Sequence, residues 1–269
     1  MPTSTSTTRS WTTSLASGHD LITQGPVEKR LIQRTKRGPV CAALIDPEDF
    51  SPKQAARTAA TAAKCGVSLI LVGGSTLADQ NKLDAVVRAI KKHVTCHVIL
   101  FPGNVTGVSR HADAILFSSL LNSTNPYFIV GAQAIGAMEV YKTGIESTPM
   151  GYLVFGNSSA ASFIGQVNVL PPSRPDLIVL YALAARYLGM RVLYLEAGSG
   201  ASEPIPPETI RRVRKFYDGT LFVGGGITSG KAAGEAAKAG ADVLVVGNLL
   251  QTPGYEKTLR EIVAAIRRR

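Results

Sequence analysis

The chain has 269 residues, 45% of them apolar, enough for the continuous core of one large domain. Lys and Arg total 29 against 19 for Asp and Glu, and the net charge of +10 favours anionic partners: phosphorylated substrates, anionic lipid heads or nucleic acid. Cations cluster at Lys29–Arg37, Arg211–Lys215 and Arg267–Arg269, on separate predicted helices or at an end. That pattern reads as solubilising helix faces and a frayed terminus, and with few aromatics between the cations no nucleic-acid partner is expected. Cys41, Cys65 and Cys96 lack metal-ligand spacing and read as reduced thiols of a cytoplasmic protein. No apolar run approaches the roughly 20 residues that span a bilayer. Residues 1–25 are read as a flexible Ser/Thr-rich leader without an assigned function, ahead of one domain over 26–269.

From Val27 onward, strand-like and helix-like patterns alternate. A helix is predicted at Val27–Thr35 and a strand at Val40–Ile45, ending in Asp46-Pro47. Ser51 caps a predicted helix over Pro52–Lys64 that Gly66 stops. The strand Ser68–Val72 runs into Gly73-Gly74-Ser75-Thr76 and is followed by an amphipathic helix, Ala78–His93. The strand His97–Phe101 ends in Pro102-Gly103-Asn104. Only Val105–Asp113 separates it from the next strand, Ala114–Leu120. A parallel crossover takes about a dozen residues or more, so the third barrel helix should be missing or replaced by an irregular segment.

After Leu121-Asn122, Ile129–Tyr141 reads as a helix and Gly151–Phe155 as the fifth strand. A long link, Gly156–Asp176, leads to a helix predicted as buried, Leu177–Leu188. Arg191–Leu195, Leu221–Val223 and Val243–Val246 read as the last strands, with helices at Pro207–Tyr217, Gly230–Ala239 and Tyr255–Arg267. Eight short apolar strands, nearly all separated by helices, predict an α/β fold, a modified (β/α)8 TIM barrel. An open doubly wound sheet is the alternative.

In such a barrel the chemistry sits where the strands end. Three of those ends are glycine-rich: Glu196-Ala197-Gly198-Ser199-Gly200, Gly224-Gly225-Gly226 and Gly247-Asn248. Glycine leaves main-chain N–H groups bare for an anion, so these ends predict a phosphate grip over Tyr194–Gly200 and its neighbours. Glu196 is an acidic residue inside that grip: it either handles a substrate hydroxyl or pairs with a nearby cation. Tyr194 either hydrogen-bonds substrate or packs. Asp46 and Ser75, on adjacent strand ends, form a carboxylate and hydroxyl pair suited to Mg²⁺. The alternative is that each caps the helix that follows it. Tyr127, Phe128, Ile129, Val130 and Ile135 lie beside the expected gap, either as an ordinary core helix, the simpler reading, or as the wall of an apolar substrate groove.

Seven segments in order resemble the geranylgeranylglyceryl phosphate synthases and the related bacterial heptaprenylglyceryl phosphate synthases: Leu44–Pro47, Val72–Thr76, Phe101–Asn104, Leu121–Pro126, Tyr194–Gly200, Val223–Ile227 and Val246–Asn248. Leu121–Gln133 is more similar to the archaeal branch. The resemblance implies a prenyltransferase that joins the 3-hydroxyl of sn-glycerol 1-phosphate to a geranylgeranyl group and releases diphosphate, the first step of archaeal ether-lipid synthesis. It assigns Tyr194, Leu195, Glu196, Ala197, Gly198, Ser199, Gly200, Gly224, Gly225, Gly226, Gly247 and Asn248 to glycerol phosphate. Asp46 and Ser75 go to Mg²⁺, and Glu196 to the attacking hydroxyl. It also implies a homo-oligomer, dimer or hexamer, while the net charge of +10 and a lipid product suit transient contact with a membrane surface. A different prenyl chain length, or a sugar-phosphate isomerase or synthase on the same barrel, are the alternatives.

Overall fold

Eight strands close into a parallel barrel in chain order: β1 Val40–Ile45, β2 Leu69–Val72, β3 His97–Leu100, β4 Ala114–Leu120, β5 Glu146–Val154, β6 Val192–Glu196, β7 Thr220–Gly224 and β8 Val243–Val246. The computed structural model describes residues 24–76, 79–156, 159–171 and 174–267. Almost all of the leader assigned to 1–25 therefore lies outside the described residues, as do Ala78, Asn157, Pro172 and Arg268-Arg269.

Strands such as β1, β2 and β8 are buried on both faces and so read as unbroken apolar runs, whereas β5 starts at Glu146, five residues before the expected Gly151, through the polar and partly exposed Glu146-Ser147-Thr148-Pro149. Alternation sorts the side chains into two layers. Ala42, Leu71, Met150, Tyr194 and Phe222 fill the barrel interior, while Cys41, Ala43, Ile45, Leu193 and Leu195 pack outward against the helices. The helices are α1 Pro26–Thr35, α2 Pro52–Lys64, α3 Gln80–Lys91, α4 Ala132–Thr143, α5 Ala160–Ile164, α6 Pro175–Tyr187, α7 Pro207–Phe216, α8 Gly230–Lys238 and α9 Tyr255–Arg267. Helix α1 plugs the end where the strands begin, with Val27 and Leu31 in the interior layer. Its first N–H groups, of Val27 and Glu28, donate to the Glu146 carboxylate at 2.7 Å each. A capping group supplied by β5, far along the chain, replaces a local N-cap.

Between β3 and β4 there is no helix. The irregular segment is held instead by α3: Gln80 Nε2 donates to the Val108 carbonyl at 2.9 Å, and Ser109 Oγ donates to Asp84. The expectation of an ordinary core helix at Ile129–Tyr141 is corrected. A π-helical turn, Tyr127–Gly131, leads into α4, which buries only Gly136 and Val140. Val130 and Ile135 are 62% and 66% exposed. The missing barrel helix leaves one flank of α4 without a helix to cover it. The link at Gly156–Asp176 also differs, because it contains α5, started by a reciprocal Ser159–Ser162 capping box. Helix α6 buries Ile178, Val179, Ala182 and Ala185 but exposes Leu180 and Tyr187, so it is half-buried rather than buried.

Candidate active site

A cavity of about 300 Å³ opens where the strands end. It gathers residues from distant segments: Tyr194, Glu196, Gly198, Ser199 and Gly200 on one side, Gly225, Gly226, Gly247 and Asn248 beside them, and Asp46 and Ser75 opposite. Leu195 and Ala197 turn outward to the helix layer, and Gly224 does not line the cavity. Any part those three residues play in binding therefore comes through the main chain or through spacing.

Tyr194 and Glu196 are two residues apart on β6 and so share its inward face. Glu196 is 7% exposed, and its Oε1 accepts the Gly198 N–H at 2.8 Å. No lysine or arginine among the described residues pairs with it, so the ion-pair alternative does not hold. Burial raises its pKa above the usual carboxylate range, opposed in part by Tyr194 and by the Gly198 N–H. The Tyr194 hydroxyl is buried beside this carboxylate without a well-formed hydrogen bond among the described residues. Burial, then the Glu196 charge, holds Tyr194 well above its ordinary pKa, and Tyr152 on β5 behaves alike. Both phenols therefore stay neutral.

The glycines are there for room. A Cβ on Gly225 would stand 2.4 Å from Glu196 Oε1 and 2.8 Å from the Gly198 nitrogen, and its φ of +77° is left-handed. A Cβ on Gly224 would meet the Tyr194 hydroxyl at 2.2 Å. Ser199 Oγ donates to Asn248 Oδ1 at 2.9 Å, tying the loop after β6 to the loop after β8.

Across the mouth, Asp46 Oδ1 accepts the Glu48 N–H at 2.9 Å. This caps a turn, whereas α2 is capped by Ser51 and α3 by Asp79. Neither Asp46 nor Ser75 is thus the cap of the following helix. The Asp46 carboxylate lies against Gly74, where a Cβ would stand 2.0 Å from Oδ2. Burial is the main cause that raises its pKa. A carboxylate outside any ion pair among the described residues, with a glycine that leaves it room and a hydroxyl one strand over, suits a hard, oxygen-seeking cation completed by substrate oxygens. Among the described residues no cluster of three His, Cys, Asp or Glu could hold a metal by itself.

From the mouth the cavity continues along apolar side chains, among them Val108, Phe117, Leu120, Phe128 and Ile164, toward the gap left by the missing helix. Three of its residues, Phe101, Tyr152 and Gln133, are not given a role by the sequence. Phe101 and Tyr152 meet edge to face and both pack at a tilt against Tyr194, ring centroids 5.2–5.3 Å apart. Tyr127 donates its hydroxyl to Asn104 Oδ1 at 2.7 Å, joining the loop after β3 to the π turn. Gln133 donates to the carbonyls of Ser118 and Phe128, pinning that turn to β4. The inward alternation of β5 marks Tyr152; nothing local marks Gln133.

The PcrB family model matches residues 33–266. The geranylgeranylglyceryl phosphate synthase of Cenarchaeum symbiosum is 51% identical over 243 residues, 90% of this chain and 98% of that protein. The Thermococcus kodakarensis enzyme of the same name is 45% identical, over 92% of this chain and 98% of its own. The crystal structure of (S)-3-O-geranylgeranylglyceryl phosphate synthase from Thermoplasma acidophilum, in complex with its substrate sn-glycerol-1-phosphate, superposes with a TM-score of 0.87 at 37% identity. That match covers 91% of this chain and 99% of the other. The chain belongs to the PcrB family, alongside these geranylgeranylglyceryl phosphate synthases.

Proposed function

We propose that this chain is a phosphoglycerol geranylgeranyltransferase, joining the 3-hydroxyl of sn-glycerol 1-phosphate to the geranylgeranyl group of geranylgeranyl diphosphate. The carrying observation is one cavity with a glycine-lined end, an acidic rim and an apolar extension. Glycerol phosphate lies against Gly198–Gly200, Gly225-Gly226 and Gly247-Asn248. The prenyl chain runs along Phe117, Phe128 and Ile164. A sugar-phosphate isomerase or synthase would share the glycine end but has no use for the apolar extension.

In the reaction the bond between C1 of the prenyl group and its diphosphate oxygen breaks, and the electron pair leaves with diphosphate. The glycerol hydroxyl attacks C1, and its proton passes to Glu196. Burial suits Glu196 to this, since a carboxylate of raised pKa is a stronger base. The glycine loops hold the phosphate end and so decide which hydroxyl faces C1. Asp46 and Ser75 would hold Mg²⁺, which when bound supplies positive charge against the leaving diphosphate.

Incubation with labelled sn-glycerol 1-phosphate and a mixture of prenyl diphosphates, then mass spectrometry of the organic extract, tests the proposal. A C20 ether is expected. An ether of another length would reject the donor, and no ether at all would reject the reaction. We further propose a cytoplasmic homo-oligomer, dimer or hexamer, that touches a membrane surface transiently to deliver its product. Support comes from exposed apolar side chains on α4 and α6, including Ile135, Tyr141, Leu180 and Tyr187. Free Cys41, Cys65 and Cys96 suit a reducing compartment. Among the described residues no helix is long and apolar enough to cross a membrane. Light scattering on the purified chain reads the mass; a monomer would reject the assembly.

A further inference from the structure

The sequence distributes its basic clusters over separate helices, and the fold brings two of them together. Arg30 and Arg34, one helical turn apart on α1, Arg37 in the turn that follows, and Arg267 at the end of α9 all line one cleft of about 680 Å³. The cleft lies where β1 and β2 begin, next to Val40, Cys41 and Ser68, and shares no residue with the catalytic cavity at the other end of the barrel.

All four arginines are exposed, and none has an ion-pair partner among the described residues. The third basic cluster is the contrast: Arg211 pairs with Glu208 and Arg214 with Asp242. Glu28, the acidic residue of α1, is committed to Arg191. Arg267 lies near Gly66, whose φ of +97° is left-handed; a Cβ there would stand 2.9 Å from Val263 Cγ1 and 3.2 Å from Arg267 Nη2.

Cations near helix C-termini are common because they meet the negative end of the helix dipole. That end carries roughly half an elementary charge. The ends of α1 and α9 therefore offset about one of the four guanidinium charges, and about three remain in one cleft. Guanidinium groups at such a density match phosphate oxygens in a bidentate fork.

We propose that this cleft is a second, non-catalytic anion site, which takes a phosphate-bearing ligand of at least two negative charges. The ligand is either free, as a small diphosphate, or the headgroup of an anionic lipid.

The full-length chain is titrated calorimetrically with inorganic diphosphate, beside Arg34→Gln/Arg37→Gln and Arg30→Gln/Arg37→Gln. Co-sedimentation with vesicles containing phosphatidic acid, whose phosphomonoester headgroup can carry two negative charges, forms the second arm. The side chains are exposed, so both variants should keep the wild-type melting temperature and prenyl transfer. The expected result is two classes of diphosphate site in the wild type, one of them weakened roughly tenfold or more in both variants. Arginine-dependent vesicle binding with an unchanged diphosphate isotherm supports the site and assigns its phosphate to lipid headgroups. Identical behaviour of wild type and variants in both arms overturns the proposal. So does arginine-dependent binding of an oligonucleotide with neither phosphate source retained.

Discussion

Glu196→Gln separates chemistry from architecture at the one buried carboxylate of the glycine grip. The glutamine keeps an oxygen where Oε1 now accepts the Gly198 N–H at 2.8 Å, so the loop after β6 keeps its anchor. It removes a group whose ionised form is disfavoured by burial. The raised folded-state pKa makes the native carboxyl bind its proton more tightly than the unfolded one. Stability from this group is therefore fullest below the unfolded pKa and declines as pH rises through the folded pKa. At neutral pH the glutamine variant should melt at or above the wild-type temperature. Activity should move the other way. General base catalysis contributes typically about 10²–10⁴-fold, about 3–5 kcal/mol of barrier. Because the ionised form is the base, wild-type kcat/KM should fall on the acid side with a midpoint above the usual carboxylate range. The variant should lack that limb. Initial rates from pH 5 to 9 with both substrates, together with melting curves, read both quantities. Near-normal turnover in Glu196→Gln, or an unchanged acid limb, would refute the base assignment.

Three other substitutions probe the remaining parts. Asp46→Asn should lower prenyl transfer by about 10²-fold or more and raise the magnesium needed for half-maximal rate, if electrostatic help to the leaving diphosphate is what the carboxylate secures; an unchanged magnesium titration would reject this. Gly225→Ala places a Cβ 2.4 Å from Glu196 Oε1 at a φ of +77°. Left-handed backbone alone costs a residue with a Cβ about 1–2 kcal/mol, and the KM for glycerol phosphate should rise several-fold beyond any loss of Tm. Glu28→Ala breaks a pair with Arg191 at 2.8 Å in which the Glu28 side chain is 2% exposed. Breaking a buried pair costs about 3–5 kcal/mol, a drop in Tm of roughly 6 °C or more for a chain of this size, and a Tm within one degree of wild type would contradict the structure.

The parts of the molecule legible in the sequence are those whose causes are local. Short, doubly buried strands must be apolar along their whole length, so Val243–Val246 declares itself. Ser51 and Gly66 mark the ends of α2 because a cap and a left-handed turn each need a particular residue type. The absent helix after β3 follows from chain length alone. What was not legible depends on residues far apart in the chain. The cap of α1 is Glu146, on β5, and no window around Gly25 contains it. The exposure of Ile135 and Val130 follows from an element that is missing elsewhere, so a stretch whose composition suits a core lies at the surface. The site divides the same way. The glycines near Glu196 were legible as a set, but the reason for Gly225 in particular is a carboxylate on the neighbouring strand. The basic clusters show the same dependence on distant residues. Residues 30–37 and Arg267 are more than two hundred positions apart, and each alone is an ordinary solvated helix face. Only barrel closure, which pairs β8 with β1, sets the end of α9 beside α1 and turns two unremarkable runs into one cleft.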